Sequence, residues 1–315
     1  MTVAGGTVPF CDPGAPVELC LAVDIGGTKL AAGLVTSGGA VAVSRRIPTP
    51  PTDDAEELYA ALGVLVGEVL TSGADDERSA AQVVVCGIGC GGPMDLRHGT
   101  VSPLNIPAWR DFPLRARMEE LTGVRVALDN DAKALALAEG WTGAARARRD
   151  FVAMVVSTGV GGGVVVDGRL LDGSTGNAGH IGHVIVEPDG RLCACGARGC
   201  LEAEASGTAI AAATGRPPAE ATPEVVSRTG RMVGRAVASV VSLLDIELVV
   251  IGGSVALGFG APFFAAANTE LHARARLSFT AEASIVPSGL GTSGPLVGAG
   301  ALGWRAADRD LVPAP

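Results

Sequence analysis

The feature that most constrains the fold is a pattern of strand, glycine turn and strand that occurs twice. Near the start, ELCLAVD is a short apolar run that ends in the turn IGGT, and KLAAGLV resumes as a second strand. Much later, FVAMVVSTGVGGGVVVDG again runs strand, glycine-rich turn and strand. Apolar runs bounded by glycines in this way predict β-hairpins. The repeat predicts a chain built from two similar halves.

Helical and strand patterns alternate after each hairpin. In the first half, DDAEELYAALGVLVGEVL (53–70) has acids at its start and apolar residues at helical spacing, which predict a helix. After it we expect a buried strand at QVVVCGIG, a helix at 115–122, a strand at VRVAL and the start of a helix at DNDAKALALAEGW. In the second half, TPEVVSRTGRMVGRAVASVVSLLD is a long helix, ELVVIGG a strand and PLVGAGALGWRAAD a closing helix. This alternation indicates α/β domains. We expect two of them, facing each other across a cleft of the kind that binds ligands.

Charge and hydropathy exclude several classes of protein. The net charge is −9 and no basic run is present, so we expect no nucleic-acid partner. No apolar stretch approaches the ~20 residues that span a bilayer, so we expect no membrane partner. Residues 1–18 lack the charged segment and apolar core of a signal peptide, and we expect them to form a flexible N-terminus. These features predict a cytoplasmic protein.

Two glycine loops are candidates for binding phosphate, and a third is not. GIGCGG (87–92) matches the dinucleotide pattern, but Pro93 follows it at once, whereas a dinucleotide loop must run into a helix. In DIGGTK and STGVGGG, glycines let backbone amides approach a phosphate, hydroxyls and a lysine add donors, and an aspartate can hold hydrated Mg²⁺. The candidate residues are Asp24, Gly26, Gly27, Thr28 and Lys29 in the first loop and Ser157, Thr158, Gly159, Gly161 and Gly162 in the second. The alternative is that both loops are only tight hairpins.

The segment DND (129–131) offers a carboxylate between the two halves. Phosphoryl transfer to an alcohol needs a carboxylate that receives the hydroxyl proton. The alternative is that these residues only cap a helix, because acidic side chains also favour helix N-termini.

The segment HIGHVIVEPDGRLCACGARGC (180–200) is rich in metal-binding side chains. His183, Cys193, Cys195 and Cys200 offer one imidazole and three thiolates, the ligands of a closed tetrahedral Zn²⁺ site. Pro188 and several glycines supply the turns that wrap a short chain around one ion. A disulfide or free thiols are the alternatives. A site with four protein ligands would be structural, because it has no open position for a substrate.

The motifs DIGGTK and STGVGGG and the order of the elements resemble the sugar kinases of the ROK family (repressors, open reading frames, kinases). The resemblance covers about residues 19 to 308 and implies an α/β, two-domain, actin-like ATPase (ribonuclease H-like) fold with an inter-domain cleft. It implies a smaller N-terminal domain of residues 19–128 plus 295–310, with the closing helix, and a larger C-terminal domain of residues 129–294, with the zinc loop. The expected activity is transfer of the γ-phosphoryl group of ATP, with Mg²⁺, to a sugar hydroxyl.

Individual roles follow from the same resemblance. Asp131, the acid of the Asn-Asp pair, matches the family's catalytic base, and the spacing of the four zinc ligands matches the family's zinc site. The turn GGS (252–254) resembles the adenosine side, which assigns Gly253. The positions that match sugar contacts are Asn105, Asn130, Asp131, His180, His183 and Glu202.

One position departs from the family. Most family kinases read E-x-G-H where this chain reads His180-Ile181-Gly182-His183. A carboxylate only accepts hydrogen bonds, whereas a neutral imidazole offers one donor and one acceptor. We therefore expect the 6-OH of glucose or of an amino sugar such as kanosamine as the phosphoryl acceptor. The alternative is that His180 replaces the glutamate with no change of substrate.

Two further interpretations concern regulation and assembly. ROK repressors carry a DNA-binding domain before the first glycine loop, and the 23 residues before Asp24 are too few and too rich in Gly and Pro for one. A sugar-binding regulatory protein without kinase activity is the remaining alternative. The family resemblance also implies a homo-oligomer, either a dimer or a tetramer.

Overall fold

The first half of the chain builds a five-stranded sheet. The computed structural model describes residues 17–74 and 82–307. The strands are β1 (Glu18–Ile25), β2 (Lys29–Thr36), β3 (Val41–Pro48), β4 (Gln82–Cys90) and β7 (Val126–Asn130), with β5 (Met94–Asp95) and β6 (Thr100–Val101) forming a separate short hairpin. Their order in the sheet is β3-β2-β1-β4-β7. The first three strands are antiparallel, while β4 runs parallel to β1 and β7 parallel to β4.

The second half repeats this topology. Its strands are β8 (Phe151–Val156), β9 (Val160–Val166), β10 (Arg169–Leu170), β11 (Leu248–Gly252) and β12 (Ser284–Pro287). Their order is β10-β9-β8-β11-β12, again with an antiparallel meander followed by two parallel strands. The predicted duplication is therefore confirmed.

Helices cover both sheets. They are α1 (Ala55–Ala74), α2 (Leu114–Thr122), α3 (Asp131–Trp141), α4 (Leu201–Ala205), α5 (Gly207–Thr214), α6 (Pro223–Leu244), α7 (Ser254–Arg274) and α8 (Gly294–Ala306). The helices predicted from 53–70, 115–122, DNDAKALALAEGW, TPEVVSRTGRMVGRAVASVVSLLD and PLVGAGALGWRAAD are all present. Among the described residues, no helix is both long enough and apolar enough to cross a bilayer.

Two helices lie between the sheets. Helix α8 packs against β1 and β4 of the first sheet, and α3 packs against β8 and β9 of the second and against α8. One buried cluster accordingly contains Cys20 and Val85 from the first sheet, Phe151 and Val250 from the second, and Trp304 from α8. Each sheet also has its own apolar core on its outer face. This packing fixes how the two halves face each other.

The topology brings the predicted motifs to the ends of the strands. The carboxyl ends of parallel strands meet at one edge of a sheet, so Asp24, Cys90 and Asn130 lie close together at the ends of β1, β4 and β7. In the second sheet, Val156 and Gly252 end β8 and β11 at the corresponding edge.

The predicted domain limits lie close to element boundaries. Strand β1 begins at Glu18 and β7 ends at Asn130, each within two residues of a predicted limit. The division itself stays a prediction, and of the predicted flexible segment 1–18, residues 1–16 lie outside the described residues.

Candidate functional site

The first glycine turn joins β1 to β2. The backbone N–H of Gly26 donates to the carbonyl of Lys29 at 3.0 Å, and the Thr49 hydroxyl donates to the carbonyl of Gly26 at 2.7 Å. The side chains of Thr28 and Lys29 are exposed, whereas Asp24 at the end of β1 is buried. The turn therefore presents a hydroxyl and an ammonium group at its surface and a carboxyl group beneath them.

The second glycine turn joins β8 to β9. The backbone N–H of Ser157 donates to the carbonyl of Gly159 at 2.9 Å, and the hydroxyls of Ser157 and Ser254 lie 2.9 Å apart. Ser254 begins α7 directly after Gly253, which has a φ of 98° and lies against the Val156 carbonyl, so only glycine fits there. This turn thus meets the N-terminus of α7, where backbone N–H groups favour an anion.

Thr158, Gly161 and Gly162 of the STGVGGG motif contact other parts of the chain. The Thr208 hydroxyl donates to the carbonyl of Thr158 at 3.0 Å. Gly161 and Gly162 lie within β9 rather than in the turn, close to the side chains of Ala132 and Ile181 respectively. Their lack of a side chain lets α3 and the segment before the zinc cluster approach the strand.

Asn105 lies between the two glycine turns. A Cβ atom added to Gly27 would lie 2.7 Å from the Cβ of Asn105, and one added to Gly159 would lie 3.5 Å from the Asn105 amide nitrogen. Asn105 belongs to the loop that follows the β5–β6 hairpin. The structure therefore brings the predicted sugar-side residue to the place where both predicted phosphate-binding turns meet.

The Asn130–Asp131 pair sits at the junction of β7 and α3. The Asn130 side chain caps α3 by accepting from the backbone N–H of Ala132 at 3.0 Å, and Oδ1 of Asp131 accepts from the same N–H at 2.8 Å. The capping interpretation is thus realised. It leaves the Asn130 amide nitrogen facing Gly92, because a Cβ added to Gly92 would lie 3.5 Å from it.

Burial raises the pKa of both aspartates of this site, and a neighbouring carboxylate adds to each rise. Burial raises the pKa of Asp24 to about 7, the charge of Asp131 adds to the rise, and Lys29 opposes it. Burial also raises the pKa of Asp131, against the hydrogen bond from the Ala132 backbone, with a further contribution from Glu202. The buried thiol of Cys90 faces both aspartates and has a pKa well above its ordinary value, mainly because of burial. The carboxyl ends of the first sheet therefore form a site that favours protons or cations.

Glu202 holds the second glycine turn. Its Oε2 accepts from the backbone N–H of Val160 at 2.9 Å and would lie 2.7 Å from a Cβ added to Gly159. Glu202 is half-buried in the first turn of α4, directly after Cys200. This carboxylate thus connects the cysteine-rich segment to the predicted nucleotide turn.

His180 faces the first half of the chain. Its Nε2 would lie 3.3 Å from a Cβ added to Gly92, next to the Asn130 amide. The ring is half-buried, and burial lowers its pKa, with a further lowering from His183 and an opposing effect of Glu202. These effects favour the neutral imidazole at His180.

The four predicted zinc ligands converge. The ligand atoms of His183, Cys193, Cys195 and Cys200 all lie within 4.8 Å of one another. Nδ1 of His183 is 3.7 Å from Sγ of Cys193, and the sulfurs of Cys195 and Cys200 are 3.7 Å apart. A tetrahedral ion with Zn–S bonds of about 2.3 Å and Zn–N bonds of about 2.0–2.1 Å requires separations of about 3.6–3.8 Å. The cluster is compatible with a structural zinc site, and the Cys195–Cys200 separation is far beyond the ~2.05 Å of a disulfide.

Backbone contacts fold the cysteine-rich segment. Gly199 has a φ of 71° and lies against the carbonyl of Glu187, where a Cβ would not fit. The buried carboxylate of Glu204 accepts from the backbone N–H of Arg191 at 2.7 Å and pairs with Arg228 at 2.5 Å. Glu204 thereby joins this segment to α6.

Several residues of the site were missed from the sequence. Ser254 and Thr208 contact the second turn, and Lys133 is buried beside Asp129. Lys133 had a signal, because it is one of only two lysines in the chain and lies two residues after the DND segment. The partners of Ser254 and Thr208 lie 97 and 50 residues away in the sequence.

Comparison with known proteins identifies a family. The sequence model of the ROK family matches residues 20–305. An N-acetylmannosamine kinase of Citrobacter koseri is 40% identical over 258 residues, which are 76% of this chain and 84% of that protein. The residues matched by the family model span both halves of the chain.

Two solved structures are also similar. A ROK family glucokinase from Streptomyces griseus in complex with glucose and AMPPNP has a TM-score of 0.79 at 30% identity, covering 91% of this chain and 99% of that one. A ROK hexokinase from Thermus thermophilus has a TM-score of 0.77 at 33% identity, covering 92% and 100%. These neighbours confirm the predicted α/β, actin-like ATPase fold.

Proposed function

The chain belongs to the ROK family, and from that premise we propose that it is an ATP-dependent hexose kinase. It would transfer the γ-phosphoryl group to the 6-OH of a sugar. The observation that carries the proposal is that Asn105 lies against both glycine turns, while Asp131 is close enough to Asp24 of the first turn to raise its pKa. The kinases and the glucokinase among the similar proteins support it.

The phosphates of ATP would lie between the two turns. Backbone N–H groups, the hydroxyls of Thr28 and Ser157 and the ammonium group of Lys29 are suited to bind them. Asp24 would hold hydrated Mg²⁺, which supplies positive charge to the phosphoryl oxygens during transfer. Gly253 and the N-terminus of α7 would lie on the adenosine side.

Asp131 would receive the proton of the sugar hydroxyl. As the bond between that oxygen and the γ-phosphorus forms, the bond to the leaving ADP oxygen breaks and the proton passes to the Asp131 carboxylate. Burial and the neighbouring carboxylate of Glu202 raise the pKa of Asp131, which makes it a stronger base than an exposed aspartate. Asn130 and Asn105 would orient the sugar by hydrogen bonds.

The cysteine-rich segment would be shaped by zinc. His183, Cys193, Cys195 and Cys200 would hold Zn²⁺, which would fix the segment rather than take part in the reaction. The connection from Cys200 to Glu202, and from Glu202 to the backbone of Val160, would transmit that order to the nucleotide turn. His183 and Glu202 would then contact the sugar from a fixed position.

We infer that the sugar is a hexosamine, with an N-acylated sugar favoured over glucose and over the free amine kanosamine. A neutral imidazole at His180 can donate to an acyl oxygen, whereas a glutamate at that position cannot. The similarity to N-acetylmannosamine kinases supports this choice.

The test is Mg²⁺- and ATP-dependent ADP release across glucose, mannose, glucosamine, N-acetylglucosamine, N-acetylmannosamine and kanosamine. Turnover on an N-acylated sugar well above the others supports both the activity and the substrate class. If the folded, zinc-loaded protein binds a sugar but releases no ADP, it is a sugar-binding regulatory protein instead.

A His180→Glu variant tests the selectivity separately. It should lose kcat/KM on the N-acylated sugar and gain or keep it on glucose, while the KM for ATP stays unchanged. Equal effects on both sugars would mean that His180 replaces the family's glutamate with no change of substrate. Light scattering of the same preparations tests the predicted dimer or tetramer.

A further inference from the structure

Lys133 is the most completely buried cation among the described residues. Its side chain is 1% exposed, yet it carries an ammonium group with three acceptors. Nζ lies 2.9 Å from a carboxylate oxygen of Asp129, 2.9 Å from one of Asp172, and 3.1 Å from the carbonyl of Gly176. All three N–H bonds of the ammonium group are therefore engaged.

Two of the three acceptors belong to one loop. Residues 171–180 connect β10 to the short turn that contains His183, and they include Asp172, Gly176 and His180. The Asp172 carbonyl accepts from the backbone N–H of Ala178 at 3.0 Å, which folds the loop back on itself. Lys133 thus binds the loop at two points, the Asp172 carboxylate and the Gly176 carbonyl.

The same loop reaches the other half of the chain. The Asn177 amide donates to the carbonyl of Met94 at 3.2 Å and accepts from the Met94 backbone N–H at 3.4 Å. Gly176 lies against the side chain of Leu96 in the same hairpin. A loop of the second half is therefore attached to the β5–β6 hairpin of the first half.

The third acceptor belongs to the proposed catalytic segment. Asp129 is buried, and its other oxygen accepts from the backbone N–H of Asn130 at 2.7 Å. Lys133 lies one helical turn beyond Asp129 on α3. One ammonium group consequently joins the segment that carries Asn130 and Asp131 to the loop that carries His180.

We propose that Lys133 is a positioning residue for sugar binding, which acts by fixing the 171–180 loop and its His180 relative to Asn130. The proposal rests on the proposed function, because it concerns the sugar side of the same cleft. A buried cation between two carboxylates has a defined geometry, whereas a loop attached only by backbone turns does not. The polar partners of the Lys133 ammonium group are Asp129, Asp172 and Gly176, which lie outside both nucleotide turns, so ATP binding should not depend on this group.

The first experiment weakens only the loop side. Asp172 is 58% exposed, so Asp172→Asn should fold normally and retain the pair of Lys133 with Asp129. We expect the Kd of the sugar, measured calorimetrically without ATP, and its KM to rise about 3- to 30-fold. The KM for ATP should stay within twofold and kcat within about threefold of the wild type. Asp167→Asn is the matched control, because Asp167 is exposed at the turn before β10 and its carboxylate forms one ion pair within residues 17–74 and 82–307, with Arg149 at 3.8 Å.

A double-mutant cycle tests the path through Lys133. Lys133→Met should raise the sugar Kd at least as much as Asp172→Asn, and the double variant should add little to Lys133→Met alone. If Lys133→Met does not fold, the single variant Asp172→Asn still decides. An unchanged sugar Kd in Asp172→Asn, or equal rises in the KM for sugar and for ATP, overturns the proposal.

The two proposals fail in different ways. A wild-type protein that binds sugar without releasing ADP refutes the kinase activity but leaves the calorimetric test of Lys133 intact. A wild-type protein that binds no sugar of the panel overturns both.

Discussion

Replacing Asp131 with asparagine should separate catalysis from folding. Asparagine has nearly the same shape, and its side-chain oxygen can still accept from the backbone N–H of Ala132, which Asp131 contacts at 2.8 Å. The variant loses only the negative charge and the ability to take a proton. The structure predicts the direction of the resulting change in kcat and in stability.

The catalytic consequence is a large fall in kcat. A positioned general base contributes about 10²- to 10⁴-fold to a rate. Since each factor of ten corresponds to about 1.4 kcal/mol, the barrier should rise by about 3–5.5 kcal/mol. The KM for the sugar should change much less, because Asn105 and Asn130 remain.

The same substitution should make the folded state more stable. Burial raises the pKa of Asp131, and its charge raises the pKa of Asp24, so the ionised carboxylate is unfavourable in the folded state. Removing it should raise Tm by about 1–4 °C, the shift that about 1 kcal/mol produces in a chain of this order of size.

A coupled assay of ADP release and a thermal melt of the same preparation measure both effects. Asp167→Asn, which removes an exposed carboxylate, serves as the control for the loss of one negative charge. A kcat within tenfold of the wild type would refute the role of Asp131 as base. A fall in Tm of more than about 5 °C would refute the electrostatic argument.

Variants at Asp24, Cys200 and Glu202 test the surrounding groups. Burial raises the pKa of Asp24 from 3.8 to about 7, so between these pH values the folded state binds more protons than the unfolded state and its stability falls as pH rises. Without Mg²⁺, Asp24→Asn should therefore raise Tm more at pH 8 than at pH 5. Equal gains in Tm at the two pH values would contradict this. Cys200→Ala should reduce bound zinc, measured by metal analysis, from about one ion per chain to none, and it should raise the sugar KM at least about tenfold. Cys86→Ala, which removes a buried thiol outside the cluster, is the control and should keep the metal. Glu202→Gln can still accept from the Val160 N–H and should mainly raise the sugar KM. Glu202→Ala leaves that donor unpaired and should also lower the free energy of unfolding, measured by denaturant titration, by about 1–3 kcal/mol. Equal stability of the two variants would contradict the contact.

The features that were predictable from the sequence are local. The glycine turns, the cap at Asn130 and the approach of Cys195 to Cys200 each involve residues within a few positions of one another. Hydrogen-bond geometry and backbone preferences act over such distances, so residue type and spacing determine them. The duplicated strand and helix pattern likewise follows from periodicity, and it was sufficient to predict two α/β halves.

The contacts that make these parts into one site are not local. Lys133 meets Asp172 39 residues away, Glu202 meets Val160 at 42, and Asn177 meets Met94 at 83. No pattern in the sequence marks such a pair, because either partner alone is an ordinary polar residue. Residue types and motif spacing were enough to predict which chemical groups the candidate site contains. Only the packing of α3 and α8 between the two sheets decided which of those groups face one another, since that packing sets the position of one half against the other.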